Sequence, residues 1–147
     1  MKTKLACLLV LPVSLMMTAV AQAAEDAAKQ DYMQYCSECH GVGGKGDGPK
    51  AQELTRNPSD LTRLAEANGG YFPYVKLRKI IDGRPDKGNI RAHGVEMPVW
   101  GNAFQADVSR AGAQIHSEAV VKMRILNIVD YLASIQEIDL LKIEQAK

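Results

Sequence analysis

Apolar residues recur at helical spacing in three stretches of the chain. The clearest begins at Ser117, a suitable helix cap, and runs to about Ile135 with its apolar side chains on one stripe. A second begins near Pro73, which suits the first turn of a helix, and ends at Gly83. In residues 25–38, small and aromatic side chains follow acidic residues that the helix dipole favours. The stripe of the last stretch consists of Val120, Val121, Ile125, Ile128, Val129 and Leu132.

Glycine and proline interrupt the chain between these predicted helices. Residues 41–60 are dense in both, and a short helix capped by Ser59 or Asp60 is predicted to follow and to extend through Ala67. Residues 84–114 are predicted to be mostly irregular, and so long a loop in a small domain needs something to wrap around. No run alternates apolar and polar residues as a half-buried strand does. The pattern predicts an all-α domain with large loops.

The first 23 residues have the pattern of an export signal. Two lysines precede an apolar run from Leu5 to Val20, and small residues end the run at Ala23. We therefore predict cleavage after Ala23, a single domain over residues 24–147, a periplasmic location and no stable membrane insertion. An uncleaved membrane anchor is the alternative, although the apolar run is shorter than the roughly 20 residues that span a bilayer.

Charge and cysteine content narrow the class of protein. The chain has 18 lysine and arginine residues against 17 aspartate and glutamate residues, a balance that does not indicate a nucleic-acid partner. Its 147 residues suffice for one compact domain. Cys7 lies in the predicted signal, so the mature chain keeps only Cys36 and Cys39. No framework of structural disulfides is expected.

Cys36, Cys39 and His40 stand in the order Cys-x-x-Cys-His, the attachment signature of a c-type haem. The two thiols add to the vinyl groups, which lie at one edge of the haem. A single helical turn can place both sulfurs at that edge and the adjacent imidazole over the iron. We therefore predict one covalently bound haem c. A disulfide oxidoreductase is the first alternative, but it needs strands around its motif. Zinc is the second, but it needs four donors, and the three histidines lack the paired spacing of a structural site.

An electron-carrying haem iron needs a second axial ligand, which is methionine or histidine. We predict Met97, because it lies in the irregular stretch "HGVEMPVWG" and is followed by Pro98. His93 in the same stretch is its rival. Met33 precedes the cysteines on the same helix and cannot easily reach the opposite face of the haem, whereas Met123 is predicted to pack beside the apolar stripe.

The motifs, taken together, resemble those of small bacterial class I cytochromes c. The resemblance covers the chain from about Ala28 to Ile135 and implies a cytochrome c fold, with roughly three to five helices and large loops around one covalently bound haem. In that family the first and last helices cross near the haem; Ala28 and Tyr32 match the first helix, and Ile128 and Tyr131 match the last. The matching stretches are "CSECHGVGGKGDGP", "NPSDLT", "IDGR", "MPVWGNAF" and "NIVDYLASIQ".

The resemblance also implies residues that support the cofactor. In the family, a proline carbonyl accepts a hydrogen bond from the iron-binding histidine, and here either Pro49 or Pro58 matches that position beside His40. Trp100 and Arg56 resemble residues that donate hydrogen bonds to the haem propionates. The alternatives are a core aromatic for Trp100 and a solvated surface charge for Arg56.

These residues predict a periplasmic one-electron carrier of a respiratory chain, with iron cycling between Fe(II) and Fe(III), and not an enzyme. Its partners would be a donor dehydrogenase or reductase and an acceptor oxidase. The alternatives are a haem subunit of a periplasmic dehydrogenase complex and a haem gas sensor or peroxidase-like protein. A basic stretch is expected to be either a docking face for an acidic partner or an ordinary solvated surface. It comprises Lys76, Arg78, Lys79, Arg84, Lys87 and Arg91.

Overall fold

The computed structural model describes residues 26–89, 96–112 and 117–137, and these residues are mainly helical. The predicted export signal, with the cleavage point after Ala23, and both His93 and His116 lie outside these ranges. Within them there is no strand, so the all-α prediction is confirmed. The α-helices are α1 (26–35), α2 (Ser37–His40), α3 (Tyr74–Asp82), α4 (Trp100–Arg110) and α5 (Ser117–Ser134).

Short 3₁₀ turns connect α2 to α3 and follow α3. They span Ala51–Glu53, Leu61–Arg63, Glu66–Asn68 and Pro85–Lys87. The short helix predicted to extend through Ala67 is therefore a pair of 3₁₀ turns, Leu61–Arg63 and Glu66–Asn68. Asp60 caps the first of them, because its carboxylate accepts a hydrogen bond from the backbone N–H of Thr62 at 2.8 Å. None of the helices in the described ranges has the length and apolar content needed to cross a membrane.

The core lies around α5, which packs against both α3 and α4. The buried side chains of α5 follow the predicted stripe and meet Tyr32 of α1 and Phe104 of α4, both fully buried. Met123 is an exception, because 55% of it is exposed and the prediction that it packs is wrong. The buried positions of α5 are Val121, Ile125, Ile128, Val129 and Leu132.

The helix α4 lies in a region predicted to be irregular. Trp100, Phe104 and Val108 are spaced four residues apart, and Phe104 and Val108 are buried on one side of this helix. The prediction was wrong because the glycines and prolines scattered through residues 84–114, Gly101 among them, were interpreted as interruptions. Gly101 instead lies inside the first turn of α4, where it permits a close approach that is described below.

Contacts between α1 and α5 agree with the positions that the resemblance picked out. Ala28 and Tyr32 are buried on α1, and Ile128 is buried on α5. The rings of Tyr32 and Tyr131 contact each other with their centroids 5.0 Å apart. The first and last helices therefore contact each other immediately before the cysteine motif, and their crossing beside a haem stays a prediction.

Candidate cofactor site

Cys36, Cys39 and His40 lie on one helical turn that continues from α1. The N–H of Cys36 donates to the carbonyl of Tyr32 at 2.9 Å, and the N–H of His40 donates to the carbonyl of Cys36 at 2.9 Å. Both cysteines are half-buried and neither forms a disulfide. The motif thus places both thiols and the imidazole within one helical turn.

The imidazole of His40 is held through its Nδ1 atom, which lies 3.0 Å from the carbonyl oxygen of Ser59. A carbonyl only accepts hydrogen bonds, so Nδ1 is the donor, and whenever the ring is neutral Nε2 is its unprotonated nitrogen. Pro49 or Pro58 was predicted to supply this carbonyl, and the structure places that of Ser59 there instead. The reason is that the carbonyl of Pro58 packs against Gly46, where an added Cβ would lie 2.3 Å from it.

The glycine-rich loop after His40 folds back onto α2. The N–H of Gly46 donates to the carbonyl of His40 at 2.8 Å, and the N–H of Gly48 donates to that of Cys39 at 3.2 Å. A Cβ added at Gly48 would lie 2.4 Å from the carbonyl oxygen of Glu38, so only glycine allows this approach. The loop therefore covers the carbonyl end of α2 and leads the chain to Ser59.

The protonation of Cys36 bears on the dithiol alternative. Burial, followed by the charges of the nearby Asp31 and Cys39, raises the pKa of the Cys36 thiol to about 12. Dithiol oxidoreductases need a cysteine whose pKa is lowered, because the thiolate is the reactive form. Cys36 has the opposite electrostatic environment. Among the described residues, no group of three or more histidine, cysteine, aspartate or glutamate side chains is arranged to hold a metal ion.

Met97 is half-buried and packs against the same core cluster as Cys36. It lies between Glu96, which accepts a hydrogen bond from the N–H of Thr55 at 2.6 Å, and the start of α4 at Trp100. Met33 also packs against this cluster, from α1. The structure thus brings Met97 to the core that the cysteine turn borders.

Arg56 is exposed beside the segment that carries Met97. Hydrogen bonds from Thr55, followed by the backbone and charge of Arg56, hold the pKa of Glu96 below its usual value. This proximity joins two stretches that are distant in the sequence. The predicted contact of Arg56 with a haem propionate stays a prediction.

Trp100 begins α4 and is half-buried among aromatic rings. Its ring meets that of Tyr35 edge-on at 5.5 Å and stacks with that of Phe104 at 5.9 Å between centroids. These contacts are those of a core aromatic. A hydrogen bond from Trp100 to a propionate stays a prediction.

Two arginines form ion pairs with carboxylates within the fold, and one of them, Arg84, belongs to the basic stretch that was predicted to lie on the surface. Arg84 is 5% exposed and Asp82 is 6% exposed, and they pair with Nε–Oδ1 and Nη2–Oδ2 distances of 2.6 and 2.8 Å. Glu118 of α5 contacts the same guanidinium at 2.9 and 3.1 Å. The inclusion of Arg84 in a docking face is therefore wrong, because its charge is neutralised inside the fold. The "IDGR" stretch carried the signal: a glycine turn brings Asp82 next to Arg84.

The second such arginine is Arg124, on α5. Its guanidinium binds the carboxylate of Asp31 with distances of 2.6 and 3.1 Å, and lies 4.2 Å from the ring centroid of Phe104. Tyr35 donates a hydrogen bond to Asp107 at 2.9 Å within the same cluster. These contacts tie α1 to α4 and α5 close to the cysteine turn.

Comparisons with known proteins identify no relative of this chain. No family model, no curated protein and no solved structure matches the chain. The resemblance to class I cytochromes c therefore rests on the sequence motifs alone.

Proposed function

We propose that this protein is a periplasmic one-electron carrier with one haem c, held covalently by Cys36 and Cys39 and ligated by His40 and Met97. The observation that carries the proposal is the single helical turn bearing both thiols and a histidine whose Nδ1 is anchored by the Ser59 carbonyl. The cytochrome c fold, implied by the motifs, is part of this proposal. Haem in this position would supply the change between Fe(II) and Fe(III).

The cysteine turn fits such a group chemically. Each thiol would add its S–H across one vinyl group, with sulfur bonding to one carbon and hydrogen to the other. The raised pKa of Cys36 keeps that residue in the protonated thiol form. Both cysteines are half-buried and Cys36 packs against the core, so an apolar ring bound here would be shielded from water on that side.

The His40 side chain fits the role of an iron ligand because its tautomer is fixed. The hydrogen bond from Nδ1 to Ser59 directs Nε2 as the basic nitrogen, orients the ring and increases its basicity. The acceptor is a backbone atom in a loop that packs on α2 through Gly46. The orientation of His40 thus depends on the backbone of the loop and not on the side chain of Ser59.

Met97 supports the assignment as a carrier rather than an enzyme. A histidine and a methionine together complete the coordination of the iron and leave no open position for a substrate. A thioether ligand beside a buried core also favours the reduced state and raises the potential. A gas sensor or peroxidase-like protein would instead need an open or weakly held sixth position.

The exposed surface of α3 supports docking of an acidic redox partner, such as a dehydrogenase, reductase or oxidase subunit. This helix exposes Lys76 and Arg78 next to Tyr74 and Val75, and its one acidic residue, Asp82, is buried and paired. Complementary charge raises the rate of encounter more than the affinity. Replacing Lys76 and Arg78 by glutamine should therefore slow electron transfer at low salt, while R110Q on α4 should not. Equal effects of both changes would contradict docking at α3.

Optical spectroscopy of the purified mature protein tests the proposed function. We expect haem that stays with the polypeptide after acid denaturation, a redox titration that fits one electron, and a ferrous spectrum unchanged by carbon monoxide. Haem that separates from the chain would overturn covalent attachment. Ready binding of carbon monoxide would overturn the carrier and favour a sensor or peroxidase-like protein. A stable copurifying subunit would favour the dehydrogenase complex.

A further inference from the structure

We propose that Arg84 is a positioning residue that fixes the segment carrying Met97 by packing against the first turn of α4. The inference rests on the proposed function, in which Met97 is an iron ligand. It assigns to the buried Asp82–Arg84–Glu118 cluster a role beyond linking helices.

The cluster joins the end of α3 to the start of α5. Gly83 ends α3 with a φ of 66°, and this turn lets both carboxylate oxygens of Asp82 meet the guanidinium of Arg84. Glu118, in the first turn of α5, completes the cluster with two further contacts. Arg84 is thus held from two helices and cannot shift without leaving a buried carboxylate unpaired.

The first turn of α4 rests directly on this cluster. A Cβ added at Gly101 would lie 2.4 Å from both the Nε of Arg84 and the Oδ1 of Asp82. A Cβ added at Gly83 would lie 3.6 Å from the Cα and Cγ1 of Val99. The chain from Val99 to Gly101 therefore packs against the turn that Arg84 stabilises, and Met97 lies only two residues before Val99.

Met97 itself packs against the core, and the polar anchor of its segment on the side away from α4 is weaker than the Arg84 cluster. The Glu96 carboxylate accepts a hydrogen bond from the N–H of Thr55, but this contact is exposed to solvent and is screened by it. The Arg84 cluster is buried, and its fork geometry matches the carboxylates in a way that lysine cannot reproduce. Loss of the Arg84 contacts should therefore loosen Met97 before it loosens the cysteine turn.

Displacement of Met97 by imidazole in the ferric, haem-loaded protein tests this inference. Imidazole competes for the iron position that Met97 holds, so its apparent affinity reports how firmly the segment is fixed. In R84K we expect imidazole to bind about tenfold tighter or more, with a weakened far-red band of methionine-ligated ferric haem. The free energy of unfolding is measured on the same samples by urea denaturation.

R124K is the matched control, because Arg124 also pairs with a carboxylate on another helix, and its contacts with α4 are at Phe104 and Asp107, beyond the first turn of that helix. It should lower stability and leave the affinity for imidazole unchanged. If R84K fails to fold, E118Q takes its place, since Glu118 is partly exposed and its loss leaves the pair with Asp82 intact. E118Q should change the affinity in the same direction by a smaller factor.

The outcomes separate this inference from the proposed function. A far-red band in the wild type with unchanged imidazole affinity in R84K and E118Q would overturn the inference alone. Equal changes in R84K and R124K would also overturn it, because a general loss of stability would then account for both. A wild type without the far-red band would overturn the assignment of Met97 and, with it, the inference.

Discussion

The two regions proposed to face the cofactor are built in different ways. The backbone hydrogen bonds of the Cys36–His40 turn and its glycine loop join residues that are close in the sequence, and the Ser59 carbonyl that holds the His40 ring lies 19 positions from it. The Met97 segment is held by contacts with Thr55 and with the Arg84 cluster, which come from distant parts of the chain. The cysteine side of the proposed site is therefore specified by a sequence motif, and the Met97 side is specified by packing between distant segments. Mutations should therefore affect the two sides differently.

The largest expected effect is at the cysteine turn. Replacing Cys36 and Cys39 together by serine removes both atoms that would bond to the cofactor, so covalent attachment should be lost completely. Denaturation in acid followed by separation of polypeptide and haem measures this. The double variant of Met33 and Met123 to leucine is the control and should retain the haem. Covalent haem in the cysteine variant would contradict the proposed attachment.

The next largest expected effect is a loss of stability when the buried Arg84 ion pair, which supports the Met97 segment, is removed. R84M leaves the buried carboxylate of Asp82 without its partner and should lower the free energy of unfolding by about 3–5 kcal/mol. Urea denaturation followed by far-UV circular dichroism measures the loss. R110M, which removes an exposed pair with Asp107, should change stability by about 0.5 kcal/mol or less. Similar losses in both variants would show that burial of the Arg84 pair does not matter.

Substitutions in the glycine loop should lower stability by less, and a comparison of Gly46 with Gly69 separates the cost of a steric clash from that of backbone strain. Gly46 and Gly69 both have a positive φ, of 79° and 68°, but an added Cβ meets the Pro58 carbonyl at 2.3 Å in the first case and nothing within 4 Å in the second. G69A should cost about 1 kcal/mol for its backbone alone. G46A should cost roughly 2 kcal/mol more and should shift the signals of His40 in NMR spectra. Equal costs would contradict the described path of the loop.

The smallest expected effect is a pH dependence of the free energy of unfolding, which comes from the carboxylates paired with Arg84. Burial opposes ionisation of Asp82, but hydrogen bonds from Arg84 outweigh it and hold the pKa below 3.8. Hydrogen bonds from Arg84 likewise hold the pKa of Glu118 below 4.5. Both pKa values are lower in the folded than in the unfolded chain, so this stability is fully present above the unfolded values and is lost as pH falls through the folded ones.

Stability of the wild type should therefore fall more steeply than that of R84M as pH drops below about 4.5. Urea midpoints measured at several pH values in this acidic range give the two slopes. R84M is its own control, because it retains both carboxylates and lacks only their shared partner. Parallel slopes would show that the ion pairs do not account for the acid sensitivity.

The local features of this fold were predictable from the sequence. The stripe of α5, the end of α3 at Gly83 and the cap at Asp60 depend on residues only a few positions apart, and the structure has all three. The Cys-x-x-Cys-His spacing likewise fixes one helical turn. Such features follow from helical periodicity and capping, which act within a short window of sequence.

The remaining features depend on which segments meet. Arg84 looks like a surface cation in the sequence, and only the return of Glu118 and the approach of Gly101 bury it. Gly101 is helical although glycine disfavours helices, and its lack of a side chain is what lets α4 pack closely on Arg84 and Asp82. The Ser59 carbonyl replaces that of Pro58 because the loop packs Pro58 against Gly46. None of these contacts leaves a periodic pattern in the chain.

The far-red absorption band of the ferric protein tests the central claim most directly, because it requires both an iron-bound haem and a methionine ligand. We predict that the wild type has this band, that M97A lacks it, and that M123A retains it, since Met123 is exposed on α5. H93A serves as a further control and should retain the band. Survival of the band in M97A, or its absence from the wild type, would contradict the account.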